Sequence, residues 1–344
     1  MIARKRYTSG RIAVANLSAL IESLELRRIE AVTFDDLVAL SNLLFFRGDV
    51  LGHIADHDRA ELIAAQAIAL SPDSASALYV HARVAERFHR FEEANALLDR
   101  ALAAGCSRQK VDLQKAALLQ ATGKYHEALV LREGQAKDAP GIHSLGALAS
   151  LMAEMDRWAA AEACYAAALE ADIGVSPFPC SQLLFEWGLN AMRRGDLDRA
   201  ETTFVELEAV VPAHVPGRGH RAELALARGQ LDLAATLVAP ILETSDDPEY
   251  RAIHAEILAA RGDGRASREA ELAAADYEQL LARRPEAYAD HAAEFFIGVG
   301  NQPQRAVDLA SANWKIRDTP RSRELLAQAL RNARQVSVAR ECTI

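Results

Sequence analysis

Residues 109–142 read QKVDLQKAALLQATGKYHEALVLREGQAKDAPGI. Apolar residues recur at helical spacing on both sides of Gly123, which predicts two short amphipathic helices joined by a turn at that glycine. Pro140 ends the second helix, because proline lacks the N–H group that a helix interior needs. Neither helix can bury its apolar face alone. We therefore expect further copies of this helix pair on both sides.

The interval between small residues supports this expectation. Two series of small residues repeat every 34 positions: Gly48, Ala82 and Ala116, and Ala60, Ala94 and Ala128. Because two independent series share one period, we interpret most of the chain as a helical repeat array of eight units. We predict a basic N-terminus and capping helix over residues 1–40 and four repeats over residues 41–173. A proline-containing break follows over residues 174–180, then four more repeats over residues 181–320, and a C-terminal capping helix with a tail over residues 321–344.

Composition narrows the class of protein. Half of the 344 residues are hydrophobic and only 6% are aromatic, as closely packed all-α proteins require. The net charge of -9 argues against nucleic acid as a partner. Without an apolar run of about 18 residues we expect no membrane span. Four cysteines without metal-ligand spacing predict reduced thiols and a cytoplasmic protein. The basic N-terminal segment leaves a transit peptide or a misassigned start codon as alternatives.

The order of residue types within one unit resembles the tetratricopeptide repeat. The unit has a small residue, a turn glycine, an aromatic residue, alanine, a further core position and a closing proline, at Ala116, Gly123, Tyr125, Ala128, Gln135 and Pro140. The resemblance covers about residues 41–320, and other stretches are similar to bacterial repeat proteins. It implies an α-solenoid of antiparallel helix pairs in a right-handed superhelix. Gln135, where alanine is usual, and Glu294, at a small position, depart from the pattern.

The resemblance also implies where a partner binds. The first helix of each pair lines the inner groove, and the matching positions give the candidate partner-binding residues Phe45, Tyr79, Arg83, Arg87, Lys110, Gln120, Phe185 and Arg193. Arginines and aromatic rings suit an acidic or amphipathic segment. Further along, Glu223, Glu249 and Glu256 occupy such positions, so we expect the groove to become acidic.

Two histidine groups raise the alternative of metal binding. His53 and His57 flank Asp56, but we expect a turn near Ala55 to separate the histidines and leave them at the surface. Asp290, His291 and Glu294 share a helix face, for which a solvated surface or partner contact is the simpler interpretation. We therefore predict no metal ligands and no cofactor.

Function is predicted from the repeat architecture. Signatures of nucleophilic, nucleotide-binding and zinc-peptidase chemistry are missing, and the repeats occupy nearly the whole length. We expect a non-catalytic scaffold that binds a protein or peptide in its concave face. The alternative is a ligand-sensing or metal-binding regulator that uses groove histidines and carboxylates. Exposed end helices would also allow a homo-oligomer.

Overall fold

A computed structural model describes residues 7–31 and 33–341. Within these residues the chain forms eighteen α-helices and no strand. They are α1 (Gly10–Ala31), α2 (Phe34–Leu51), α3 (Ile54–Leu70), α4 (Ala75–Arg87), α5 (Phe91–Ala103), α6 (Arg108–Ala121), α7 (Tyr125–Asp138), α8 (Ile142–Glu154), α9 (Trp158–Ala171), α10 (Phe178–Arg194), α11 (Leu197–Val210), α12 (Val215–Ala227), α13 (Leu231–Thr244), α14 (Pro248–Ala260), α15 (Ala266–Arg283), α16 (Pro285–Ile297), α17 (Pro303–Ile316) and α18 (Pro320–Glu341). Most of the basic N-terminal segment, the end of the tail and Cys342 lie outside the described residues.

The helices pack as consecutive pairs. Helices α2 and α3 form the first pair and α16 and α17 the eighth, with α1 and α18 flanking the array. Thr33 starts the first pair, because its hydroxyl oxygen accepts a hydrogen bond from the Asp36 N–H at 3.1 Å. No helix of the described ranges combines the length and apolarity that crossing a bilayer requires. The all-α solenoid predicted from the repeat period is confirmed.

The periodic small residues lie where paired helices approach each other. Ala60, Ala94 and Ala128 are completely buried. At Gly48 a β-carbon would lie 2.6 Å from the His57 ring, and at Gly188 it would lie 2.6 Å from the Phe204 ring. A larger residue would force the two helices of a pair apart. The 34-residue period of small residues therefore marks the contacts between the two helices of each pair.

Every pair turns through a residue with positive φ. These turn residues are Gly52, His89, Gly123, Asp156, Gly195, Gly229, Gly262 and Asn301. Glycine favours this left-handed conformation, because it has no β-carbon to clash with the backbone. His89 adopts it although it carries a large side chain. The His89 ring contacts a distant part of the chain.

The array curves until later pairs touch earlier ones. The carboxylate of Asp246 accepts hydrogen bonds from the N–H groups of Ile54 and Ala55, at 2.6 and 2.9 Å, and so caps α3 from 192 and 191 residues away. The His89 ring donates from Nδ1 to the Glu286 carbonyl at 2.8 Å, across 197 residues. The Arg317 Nε donates to the Ala121 carbonyl, across 196 residues. This near-constant separation means that one superhelical turn takes about 195 residues, and we call these contacts the seam.

Hydrophobic packing continues across the seam. One core cluster joins side chains of α1 to α4 with side chains of α15 to α18. The Arg284 guanidinium lies over the Phe88 ring, 3.6 Å from its centre, and forms an ion pair with Asp58 at 2.9 Å. The first and last pairs therefore share one core, and the array closes on itself.

The predicted break contacts the N-terminal segment. The Thr8 N–H donates to the Val175 carbonyl at 2.8 Å, and the Tyr7 hydroxyl donates to the Asp172 carboxylate at 2.7 Å. The prolines predicted to keep residues 174–180 out of helix are Pro177 and Pro179, and the prediction is wrong for Pro179. It lies in the first turn of α10, where the missing N–H leaves no bond unmade.

Candidate ligand-binding lumen

The first helices of the pairs line a central lumen. Helices α2 and α4, α8 and α10, and α12 and α14 contact each other along the concave side. Helix α2 also contacts α12, which belongs to the next superhelical turn. Because the seam closes the wall, the concave face encloses a lumen instead of an open groove.

The predicted residues of the first two pairs contact one another. Arg83 Nη1 donates to the Asn42 side-chain oxygen at 2.7 Å, and its guanidinium lies 4.7 Å from the centre of the Phe45 ring. Tyr79 is half-buried, and burial raises its pKa although Arg83 opposes the shift. One donor of Arg83 and the face of its guanidinium are thus engaged within the chain.

The remaining predicted residues fall in different surroundings. Arg87 is half-buried and lowers the pKa of Asp247, although burial and Glu249 raise that pKa by more. Lys110 is exposed near the start of α6. The Gln120 amide donates to Glu154 at 3.0 Å. The Phe185 ring packs 5.3 Å from the His214 ring, centre to centre.

Gln120 and Arg193 line the same cavity of about 490 Å³. It lies between α6, α8 and α10, and Arg317 closes one side. Its size is in the range of pockets that hold small ligands or a few peptide side chains. Its polar lining includes Gln120, Arg132, Ser150, Glu154, Glu186 and Arg193.

Of the three arginines that line this cavity, Arg317 forms an ion pair with Asp290, whereas Arg132 and Arg193 have no acidic partner at ion-pair distance within residues 7–31 and 33–341. Arg132 is 8% exposed, and its Nε has no hydrogen-bond partner. Burial lowers the pKa of Arg193 to about 10, with Arg321 adding to the shift and Glu154 and Glu186 opposing it. Arg193 therefore has unused donors that face the cavity, whereas the unpartnered Nε of Arg132 is buried.

Two glutamates of the lumen lie in surroundings that disfavour their charged form. Burial raises the pKa of Glu186, and the nearby Glu154 charge adds to the effect. Burial also raises the pKa of Glu86 to about 7. The Ser150 hydroxyl and the Gln182 amide donate to Glu186 at 3.4 and 3.0 Å. Burial thus disfavours the charged form of both Glu86 and Glu186.

The structure separates the histidines weighed for metal binding. His53 lies at the turn, as expected, but the surface position expected for His57 is wrong: it is 3% exposed, with Nε2 3.0 Å from Asp49. Arg47 binds both oxygens of Asp56, at 2.6 and 2.7 Å, which leaves that carboxylate little capacity for a metal.

The second group is also rearranged. Asp290 is 5% exposed and forms an ion pair with Arg317 at 3.0 Å, so the expected solvated face is wrong for this residue. A different set of ligand-type side chains, on α12 and α14, lies closer together. The spacing His220-x-x-Glu223 is visible in the sequence, but Glu249 reaches it only through folding.

Similarity to known proteins is found among solved structures. No protein-family model matches the sequence, and no curated protein sequence matches it. The Cut9–Hcn1 hetero-tetramer of the APC/C overlaps with a TM-score of 0.50 at 15% identity, over 86% of this chain and 55% of that chain. A tetratricopeptide repeat protein from Parabacteroides merdae overlaps with a TM-score of 0.46 at 17% identity, over 81% of this chain and 98% of that chain. YrrB, described as a TPR protein with an unusual peptide-binding site, gives 0.30 at 17% identity, over 58% and 95%.

The helix pairs, their small-residue contacts and their curvature define an α-solenoid. The chain has the tetratricopeptide-repeat fold. It spans about half the length of the Cut9–Hcn1 chain that it overlaps.

Proposed function

We propose that the chain is a non-catalytic scaffold that holds an acidic segment of a partner protein in its lumen. The observation that carries this proposal is the position of Arg193. Its guanidinium faces the 490 Å³ cavity and makes no hydrogen bond or ion pair of its own among the described residues. A carboxylate of a ligand could accept two parallel hydrogen bonds from such a group.

The surroundings of Arg193 support an acidic ligand. Arg132 adds a second positive charge to the cavity lining. Glu186 has a raised pKa, so a proton can relieve its repulsion of an incoming carboxylate. Because the seam closes the wall, the segment would lie along the lumen, where the predicted contacts Gln120 and Phe185 also lie. Phe45, Tyr79, Arg83, Arg87 and Lys110 stay predicted contacts.

Two further expectations belong to this proposal. The first is a cytoplasmic location. The second is association through the ends of the array, for which α1 offers exposed apolar side chains: Ile12 is 55%, Leu20 48% and Leu26 66% exposed. Light scattering would show a dimer, and Leu20→Glu with Leu26→Glu would convert it to a monomer. A monomeric wild type would remove the second expectation.

Synthetic peptides test the main proposal directly. We expect fluorescence polarisation to show that an acidic eight-residue peptide binds and that neutral and basic peptides of the same length do not. Arg193→Glu should weaken binding by about a factor of ten or more, because it replaces attraction by repulsion. Arg194→Glu is the matched control, because the Arg194 guanidinium lies over the Trp158 ring, 5.4 Å from its centre.

Two results would contradict the proposal. One is equal binding of acidic and basic peptides by the wild type. The other is unchanged binding of the acidic peptide by the Arg193→Glu variant. Circular dichroism melting of each variant shows that the fold is retained.

A further inference from the structure

Histidine and glutamate side chains from successive inner helices meet inside the lumen. His220 and Glu223 lie on one face of α12, because residues three apart in a helix are neighbours. Glu249 comes from the first turn of α14. One ligand atom from each of these three residues lies within 4.8 Å of those of the other two. The His220 Nδ1 and Glu223 Oε2 atoms are 2.6 Å apart.

A fourth donor stands beside them. His291, on α16, places its Nδ1 3.2 Å from Glu249 Oε2. The side chains of His220 and Glu249 are each 20% exposed, that of Glu223 30% and that of His291 40%. They are therefore held by the surrounding helices and are still open to ions in the lumen.

The electrostatics of the cluster favour added positive charge. Burial lowers the pKa of His220, but Glu223 and Glu249 outweigh it and the pKa is raised. Burial opposes protonation of His291 too, yet Asp290, Glu249 and Glu294 raise its pKa to about 10. The cations that face the cluster from other elements are Arg193 and Arg321. Each imidazole thus lies beside carboxylates that favour its protonated form.

We propose that His220, Glu223 and Glu249 bind one zinc ion, and that His291, which contacts Glu249 but lies outside this group of three, turns toward the ion as the fourth ligand. Zinc prefers four ligands of nitrogen and oxygen in a tetrahedron, and histidine and glutamate supply both atom types. Ligand bonds of about 2.0–2.1 Å place neighbouring donors about 3.3 Å apart, so His291 and Glu249 already match this spacing. His220 and Glu223 must separate by about 0.7 Å, a small side-chain rotation.

The same donor set discriminates between metals. Magnesium and calcium take oxygen ligands almost entirely, and two imidazoles disfavour them. Zinc competes with protons for the imidazole nitrogens, so binding releases protons to the solvent. The bound ion would link α12, α14 and α16, which belong to three successive pairs.

Calorimetric titration of the chelator-treated full chain with zinc chloride tests the site. We expect one ion per chain with a dissociation constant in the micromolar range or below, proton release, and no saturable binding of magnesium. His220→Ala and Glu249→Gln should each weaken zinc binding by about tenfold or more. His254→Ala is the matched control, because His254 Nδ1 is 4.0 Å from Glu269 and lies outside the cluster.

Equal zinc affinity in the wild type, His220→Ala and Glu249→Gln would overturn the proposal, and so would a wild type without saturable zinc binding. Should His220→Ala fail to fold, Glu223→Gln keeps the side-chain size and must show the same loss. Cobalt substitution gives a second readout, since tetrahedral cobalt absorbs visible light strongly. A spectrum unchanged by His291→Ala would remove the fourth ligand from the proposal.

Discussion

The turns at Gly123 and Gly195 have the same backbone conformation and different surroundings. Their φ angles are +81° and +83°. A β-carbon at Gly123 would lie 2.1 Å from the Asp318 carbonyl oxygen, whereas at Gly195 it would meet nothing within 4 Å. The first turn lies in the seam and the second is free. At Gly195 glycine is needed only for the turn. At Gly123 it is needed for the turn and also for the close approach of Asp318 across the seam.

Alanine substitution at both turns should give the largest contrast. Gly195→Ala carries only the penalty of a positive φ, about 1–2 kcal/mol. Gly123→Ala adds a clash with the loop before α18, and we expect a loss of about 3 kcal/mol or more in urea unfolding. Equal losses in the two variants would mean that Gly123 has no role in closure.

The cap that Asp246 provides across the seam should give an intermediate effect. Asp246→Ala leaves the N–H groups of Ile54 and Ala55 without their acceptor, and we expect a loss of about 1–2 kcal/mol in unfolding free energy. Asp232→Ala is the control, because the fully exposed Asp232 carboxylate only pairs with Arg261 on the surface. If Asp246→Ala matched this control, the capping contact would contribute nothing to stability.

Acid should weaken the seam by a smaller amount. Burial lowers the pKa of His89 to about 4, while Asp290 opposes the shift and Arg317 and Arg87 add to it. The unfolded chain therefore binds a proton before the folded chain does, and stability falls as the pH drops from about 6.5 to 4.

The His89→Asn variant isolates that effect, because asparagine tolerates a positive φ and does not titrate. Between pH 7 and pH 4.5 we expect the wild type to lose about 1 kcal/mol more unfolding free energy than the variant. Parallel losses would show that protonation of His89 is not coupled to folding.

The sequence predicts the helix pair because the two helices of a pair are neighbours in the chain. Ala60, Ala94 and Ala128 mark contacts between helices adjacent in the chain, so their period carries the fold class. Gln135 departs from the pattern, and the departure is visible in the sequence. Its amide nitrogen and oxygen are buried without a partner, at a position where the related repeats have alanine. Contacts of this kind can be predicted from residues that are close together in the sequence.

The seam could not be predicted in this way. Asp246, Glu286 and Asp318 lie in or beside the loops between pairs and meet residues about 195 positions earlier, with no period of their own. The sequence pattern therefore gives Arg83 and Arg193 alike as partner contacts, without the neighbours that each meets in the fold. In the folded chain Arg83 binds Asn42 and Phe45, and Arg193 has the free donors.

Small-angle X-ray scattering of the wild-type chain tests closure most directly. A 344-residue chain that closes after about 195 residues should have a radius of gyration of about 20–23 Å, near that of a compact protein of this length. Eight pairs in an open stack, with about 10 Å between pairs, would give about 27 Å. A value of about 27 Å or more in dilute solution would contradict the closed superhelix and the lumen that depends on it.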